Sequence, residues 1–243
     1  MVSFIIPARN EKKYIGDCLA SIFSQDFFGD REVIVVDNDS KDGTAEFVRR
    51  RYAQAKVVQE NRLGINYARQ RGFKESSGEV LVFVDADIRL PKDWTRRALA
   101  HLNSSSRIAA VSGPYRYYDA NKWYLNPAVL IFQFLMSKWA AVHNFISGKN
   151  NVLIAGDMMI KRAALEAAGG FDTRFIFFRE DVNTAKRLQR FGRVCFFYDL
   201  IVESSARRFN QEGLFRLGAE YLYHYFAGGL SNAPAKKGYP EVR

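Results

Sequence analysis

Asp85 and Asp87 stand one residue apart directly after the apolar run Val80 to Val84. Two carboxylates at that spacing offer hard oxygen ligands to Mg2+ or Mn2+, with a diphosphate able to complete the shell. A cation held there would offset negative charge growing on a departing nucleoside diphosphate. Two further apolar runs end the same way. Pro7, Ala8, Arg9, Asn10 and Glu11 follow Val2 to Ile6, and Asp37, Asn38, Asp39 and Ser40 follow Glu32 to Val36. Carboxylates brought together at one edge repel each other unless a cation or hydrogen-bonding ligand sits among them. Taken singly, each cluster reads better as a turn or helix cap, which Asp, Asn and Ser commonly provide. Arg62, Arg69 and Arg71, together with helix N-termini at the same edge, are candidates to support phosphates. The absence of GxxxxGK[ST] excludes a P-loop, and the absence of GxGxxG after the first run argues against a dinucleotide dehydrogenase.

Such residues need a frame to hold them. Val2 to Ile6, Glu32 to Val36, Lys56 to Gln59, Val80 to Val84 and Ile108 to Ser112 are short β-branched or apolar runs, with helical patterns between the early ones. Lys12 to Phe23 puts Tyr14, Ile15, Cys18, Leu19 and Ile22 on one face. Thr44 to Tyr52 does the same with Phe47 and Val48, after a turn at Asp42 and Gly43. Runs such as Val33 to Val36 and Val80 to Val84, apolar without alternation, belong to strands buried on both sides. An α/β fold with a mainly parallel, helix-covered sheet is expected, and ligands of such sheets bind beyond the carboxyl ends of the strands.

Of the 243 residues, 48% are hydrophobic, enough for a packed core and incompatible with a disordered, collagen-like or low-complexity chain. No Pro-, Gly- or Ser-rich linker divides the chain, so a single domain is expected. Cys18 and Cys195 lie far apart and signal no disulfide framework, which fits a reducing cytoplasm. Met1 to Pro7 lacks the features of a secretory signal. The longest apolar stretch, Ala128 to Met136, is interrupted by Gln133 and followed by Lys138, so no transmembrane helix is expected. With 36 Lys and Arg against 26 Asp and Glu, the net charge is +10, a field that draws nucleic acid, anionic membrane and phosphorylated substrate alike. The basic residues are dispersed and accompany no nucleic-acid-binding module, so no nucleic-acid partner is expected. His101, His143 and His224 share no ligand spacing and read as structural or surface residues.

In order along the chain, six segments resemble the family 2 glycosyltransferases, inverting enzymes with a GT-A fold. They are FIIPARNE at Phe4 to Glu11, VIVVDNDSKDGT at Val33 to Thr44, NRLGINYARQRG at Asn61 to Gly72, GEVLVFVDADIRLP at Gly78 to Pro91, AGDMMIKRAALEAAGGFD at Ala155 to Asp172, and REDVNTAKRLQRFG at Arg179 to Gly192. The resemblance implies a Rossmann-like, mixed, mainly parallel sheet with helices on both faces, and a nucleotide sugar as donor, a UDP-sugar in preference to a GDP-sugar. It implies that Pro7, Arg9, Glu11, Asp37 and Asp39 line the base and ribose pocket, continued by Asn61, Gly64 and Arg69. Asp85 and Asp87 match the DxD motif, Asp85 near ribose and metal and Asp87 the more direct ligand of Mn2+ or Mg2+. Glu180 and Asp181 match the ED motif, in which the Asp is the general base, a role that direct displacement at an anomeric carbon requires. Gly156 and Asp157 fall where the family faces its acceptor. The resemblance divides residues 1–213 into a donor half, 1–112, and an acceptor half, 113–213, followed by an amphipathic helix and tail over 214–243.

The sequence departs from the family in two places. Many members carry a His shortly after the strand that follows the ED helix, whereas here Val202 to Arg208 contains none. Arg207 and Arg208 are the candidates to hold the diphosphate instead, against the plainer reading of a solvated basic turn. Gln70 stands where an Asn usually follows Ala68 and Arg69.

Tyr115 to Ser147 is rich in aromatic residues, and a helix over Pro127 to Ile146 would be wetted by few polar side chains. Leu214 to Leu230 repeats that pattern. Both helices suit either a membrane interface or packing on the core or a second subunit of a homo-oligomer. The family resemblance implies a metal-dependent hexosyltransferase of cell-envelope polysaccharide synthesis, and the two helices with the +10 charge add the expectation of a membrane-face acceptor. It would act on a lipid-linked or glycan acceptor, in the cytoplasm and peripheral to the inner membrane face. A polyprenyl-phosphate sugar transferase and a non-catalytic nucleotide- or membrane-binding module are the alternatives.

Overall fold

The computed structural model describes residues 1–147, 153, 156–176 and 178–230. Along the chain these form β1 (Val2–Ala8), α1 (Ile15–Phe23), β2 (Arg31–Asp37), α2 (Thr44–Arg51), β3 (Lys56–Gln59), α3 (Ile65–Glu75), β4 (Val80–Val84), α4 (Trp94–Asn103), β5 (Ile108–Ser112) and β6 (Tyr115–Tyr117). They continue with α5 (Leu125–Ser147), β7 (Asp157–Lys161), α6 (Arg162–Ala167), α7 (Glu180–Leu188), β8 (Arg193–Phe196), β9 (Val202–Ser204), α8 (Arg207–Glu212) and α9 (Leu214–Leu230). The expected tail over 232–243 lies outside the described residues.

Seven strands make one sheet in the order β3-β2-β1-β4-β7-β5-β8, parallel throughout except for β7. Successive side chains of a strand point to opposite faces, and both faces are covered. Phe4, Ile6, Val33, Val35, Val82 and Val84 meet Ile15, Leu19 and Ile22 of α1 and Trp94, Ala98 and Leu102 of α4. Ile5, Ile34, Val36, Leu81 and Phe83 meet Ala68 and Phe73 of α3, Leu165 of α6 and Leu188 of α7. The unbroken apolar runs therefore follow from double coverage, as read from the sequence.

Topology brings the polar residues together. In the parallel register Ala8 stands beside Asp37, and β4 runs alongside β1, so the carboxyl ends of β1, β2 and β4 share an edge. The antiparallel β7 starts where β4 stops, with Asp157 opposite Val84. A second sheet pairs β6 with β9, and the chain just beyond Asp87 joins β9 through two backbone hydrogen bonds between Arg89 and Glu203. Residues more than a hundred positions apart thereby frame the same edge.

Trp94 ties this frame to the core. It is wholly buried, and its indole N–H donates to the Leu200 carbonyl at 3.1 Å. Trp94→Ala leaves a cavity and an unpaired carbonyl, a loss of about 3–5 kcal/mol. For a chain of this size, thermal melting is expected to show a fall of roughly 10 °C, and an unchanged midpoint would contradict this packing.

The aromatic helices each bury one stripe. Leu125 and Val129 of α5 pack with Ala206, Phe209 and Leu214, and Leu217 of α9 is fully buried. Ile131, Phe134 and Leu135 of α5, with Phe215 and Tyr223 of α9 and the nearby Trp123, stay exposed. Among the described residues no helix is long and apolar enough to cross a membrane.

Candidate active site

Short-range hydrogen bonds lace the loops after β1 and β2. The Asn10 N–H donates to Ser40 Oγ, the Lys41 N–H to Asn10 Oδ1, the Glu11 N–H to Thr44 Oγ1 and the Lys12 N–H to Asp42 Oδ2, all within 3.0 Å. Asn10 and Asp39 adopt left-handed backbone conformations, φ 55° and 60°, which Asn and Asp tolerate best among residues with a Cβ. Asp42, rather than Asp37 to Ser40, serves the start of α2, accepting the Thr44 N–H at 2.9 Å. Asp37 is buried: Oδ2 accepts from Gln59 at 2.7 Å, and Oδ1 takes no hydrogen bond from the described residues. Pro7 is buried at the end of β1, Arg9 is half-buried, and Asp39 pairs with Lys41 near the surface.

Asn38 organises the next loop. Its amide donates to the carbonyls of Glu60 and Arg62, and its Oδ1 accepts the Gly64 N–H at 3.0 Å. Gly64, at φ 139°, sits against Ile176, while Asn61 is exposed. Of the three arginines expected near phosphates, only Arg69 reaches the site. Arg62 folds back onto Glu60 and the ring of Tyr67, and Arg71 pairs with Glu75 on the surface.

Arg69 is almost fully buried and donates from Nη2 to Asp85 Oδ1 at 3.2 Å, while its Nε and Nη1 find no acceptor among the described residues. Asp85 remains partly exposed. Asp87 lies 3.2 Å from Arg207, which also forms a two-pronged pair with Glu11. Although burial opposes its charge, the hydrogen bonds to Glu11 and the nearby Asp87 carboxylate hold the Arg207 guanidinium still more firmly protonated. Arg207 is thus a part-buried ion-pair partner, not part of a solvated basic turn. Arg208 pairs with Glu212 and lies over the ring of Phe178, two residues before Glu180.

On the β7 side, Gly156 fits where nothing larger can. A Cβ there would lie 2.2 Å from Tyr115 Oη and 2.5 Å from Asp85 Oδ2. Asp157 is wholly buried, with Oδ2 accepting the Gly113 N–H at 2.9 Å and Oδ1 without a partner among the described residues. Burial pushes its carboxyl well above the usual range, opposed by the Gly113 hydrogen bond and reinforced by the Asp85 charge. Burial and the same carboxylates keep the Tyr115 phenol protonated.

Glu180 and Asp181 open α7, immediately after Phe178 and Arg179, both left-handed at φ 59° and 61°. Two consecutive non-glycine residues in that region are strained and need surrounding support. Phe178 has it: the ring is buried and stacks on His224 of α9 with centroids 4.2 Å apart. Burial, and then the Asp181 charge, raise the Glu180 carboxyl to about 7, partly offset by Arg69. Burial also raises Asp181, against a hydrogen bond from the Val182 N–H at 2.7 Å and the Arg69 charge. The α3 helix aligns this segment with the sheet, since Asn66 donates to the Asp172 carbonyl and Gln70 accepts the Phe171 N–H. Gln70 thus has a definite task where an Asn was expected.

Glu11, Arg69, Asp85, Asp87, Asp157, Glu180, Asp181 and Arg207 therefore act on one another, while Asn61 and Asp39 stand at the margin. Among the described residues no group of three or more His, Cys, Asp and Glu is placed to hold a metal alone. Asp85 and Asp87 offer hard carboxylate oxygens, which suits Mg2+ or Mn2+ bound jointly with substrate phosphates. Sequence reasoning missed Tyr115, Tyr14 beneath Arg207, and Asp119, whose carboxylate accepts from Ser205 Oγ and the Ala206 N–H and so anchors α8. These contacts span distant segments, and only the run of aromatic residues hinted at Tyr115.

Comparison with known proteins places the chain in a family and matches its fold. The family described as Glycosyl transferase family 2 matches residues 3–169. The chain is 29% identical over 225 residues to Glycosyltransferase AglE of Haloferax volcanii, covering 89% of this chain and 71% of that protein. It is 32% identical over 124 residues to the dolichol-phosphate mannosyltransferase of Pyrococcus furiosus, covering 50% of this chain and 34% of that one. Its fold matches the mannosyltransferase PcManGT of Pyrobaculum calidifontis, solved with GDP-Man and Mn2+, at a TM-score of 0.74 and 26% identity, covering 96% of this chain and 65% of that structure. The chain spans only about a third of the Pyrococcus enzyme's length.

Proposed function

The chain belongs to glycosyl transferase family 2, and on that premise we propose that it moves a hexose, with inversion, from a nucleoside diphosphate sugar to a hydroxyl of a lipid-linked or glycan acceptor. The observation that carries this reading is the single edge at which Asp85 and Asp87, the buried Arg69 and the Glu180–Asp181 pair meet.

In this reading Pro7, Arg9, Glu11, Asp37 and Asp39 receive base and ribose, with Asn61, Gly64 and Arg69 continuing the pocket. The buried, unsatisfied Asp37 Oδ1 is a ready acceptor for a donor on the nucleotide. Asp85 and Asp87 hold the divalent cation, which when bound offsets charge on the leaving diphosphate. Arg207 and Arg208 supply positive charge to that diphosphate. Asp181 takes the proton as the acceptor oxygen attacks the anomeric carbon and the bond to the diphosphate breaks; Glu180 shares its negative field. Residues 1–112 form the donor side, and residues 113–213, with Gly156 and Asp157, face the acceptor. The exposed Ile131, Phe134, Leu135, Phe215 and Trp123, together with a net charge of +10, support contact with an anionic membrane face.

The test is a thermal-shift panel of UDP, GDP, CMP and dTDP, each with and without Mn2+. It carries UDP, expected from the sequence, and GDP, the nucleotide of the Pyrobaculum complex. A hundredfold excess over Kd stabilises by about 2.7 kcal/mol, a rise of roughly 5–10 °C. One nucleoside diphosphate is expected to give that rise only with Mn2+, and no rise with any of them at saturation overturns the reading.

A further inference from the structure

Arg207 reaches from the first turn of α8 and closes two ion pairs at once. Nη1 and Nη2 donate to Glu11 Oε2 and Oε1, each at 2.7 Å, and Nη2 also lies 3.2 Å from Asp87 Oδ2. The guanidinium covers the ring of Tyr14, 4.7 Å from its centroid. All three charged groups are shielded from solvent: Arg207 and Asp87 are 15% exposed and Glu11 is 4% exposed. Two carboxylates with different proposed tasks, one in the nucleotide pocket and one in the DxD motif, thus meet at one guanidinium.

We infer that Arg207 couples cation binding to nucleotide binding: its guanidinium competes with the divalent cation for Asp87 and yields that carboxylate when a nucleoside diphosphate offers it a new anion. This inference rests on the donor and cation reading above. A cation arriving alone must displace the guanidinium from Asp87, where the two meet at 3.2 Å shielded from solvent, and leave it beside the incoming positive charge with Glu11 as its remaining carboxylate, which is unfavourable. With a diphosphate present, the displaced guanidinium meets phosphate oxygens suited to its forked donors, and Asp87 is released to the metal.

The backbone around Arg207 does not have to move. Asp119 fixes the preceding turn through the Ala206 N–H at 2.5 Å, and Asn210 donates to the Asp119 carbonyl at 2.9 Å, so the exchange is a side-chain swing. Arg69 differs, being buried within α3 with its stem enclosed, and it stays with Asp85. Because coupling between two ligands is reciprocal, nucleotide must raise Mn2+ affinity by the same factor that Mn2+ raises nucleotide affinity.

The experiment measures Mn2+ affinity directly, from the electron paramagnetic resonance signal of free Mn2+, for the wild type and Arg207→Gln, with and without UDP or GDP. The wild type is expected to bind Mn2+ weakly alone and at least tenfold more tightly with nucleotide. Arg207→Gln is expected to bind Mn2+ alone at least tenfold more tightly than the wild type, and to lose most of the nucleotide enhancement. Arg207→Lys, which keeps the charge, is expected to keep Mn2+ binding weak in the absence of nucleotide. Arg207→Met, which keeps an apolar stem over Tyr14, gives the same reading as the Gln variant should that variant not fold. Unchanged Mn2+ affinity and enhancement in both neutral variants overturns the inference, as does tight Mn2+ binding by Arg207→Lys. If the wild type itself takes up neither Mn2+ nor nucleotide, the donor and cation reading fails instead.

Discussion

Asp181→Asn is expected to lower turnover with a hydroxyl acceptor by a hundred- to ten-thousandfold while leaving the nucleotide- and Mn2+-dependent thermal shift intact. The carboxylate lies in the first turn of α7, one oxygen committed to the Val182 N–H and the carboxyl raised by burial toward a pKa useful to a base. Asn fills the same space and can still accept that N–H, but it cannot take up a proton. The wild type should respond to pH with a matching sign. With Glu180 at about 7 beside it, the pair sheds its last proton only near neutrality, so activity is expected to rise with pH through about 7. Steady-state turnover alongside the thermal shift checks both points. A loss smaller than tenfold with donor binding retained would assign the acceptor to a polyprenyl phosphate, already an anion with no proton to give up.

Gly156→Ala is expected to abolish Mn2+-dependent nucleotide stabilisation and to lower activity by at least a hundredfold. The added methyl would lie 2.2 Å from Tyr115 Oη and 2.5 Å from Asp85 Oδ2, and the backbone cannot retreat. The Gly156 carbonyl accepts the Asp85 N–H at 3.0 Å, and the next residue is locked opposite Val84 in the sheet. Asp85 must therefore give way, with an overpacking cost of about 1–3 kcal/mol. Adding Tyr115→Phe removes the closer clash but not the one with Asp85. The double variant is expected to regain melting temperature without regaining Mn2+-dependent binding. Recovery of both would place the fault in the tyrosine rather than in the carboxylate.

Local regularities made the strands and early helices legible. The five early runs became β1 to β5; four of them lie within the sheet, where doubly covered strands cannot alternate polar and apolar residues, and β3 closes its edge with exposed Lys56 and Gln59. The direction of β7 was not legible, because Met158 to Ile160 is too short a run to declare its partner and orientation is decided by pairing with β4 and β5. The candidate site was legible where its residues follow strands, as Asp37, Asp85 and Asp87 do, and illegible where it depends on long reach. Glu11 and Arg207 are 196 positions apart, and nothing in either neighbourhood announces the other. The arginines show the same limit from the opposite side. Arg69 and Arg71 are two residues apart on a helix and so cannot face the same way; one is enclosed against Asp85 and the other pairs with Glu75.

The single buried hydrogen bond from the Gly113 N–H to Asp157 Oδ2 joins residues 44 positions apart. It fastens the two ends of everything the chain does between leaving β5 and entering β7. The free energy of closing a loop grows only slowly with its length, so a pinned excursion of this kind can be lengthened or shortened between its fastenings at small entropic cost to the sheet that carries Asp37, Asp85 and Asp87. In engineering terms the excursion has fixed and free parts: Tyr115 beside Gly156, Asp119 beneath the turn before α8, and Leu125 and Val129 against Ala206 are fastenings to be kept, and changes of length belong between them.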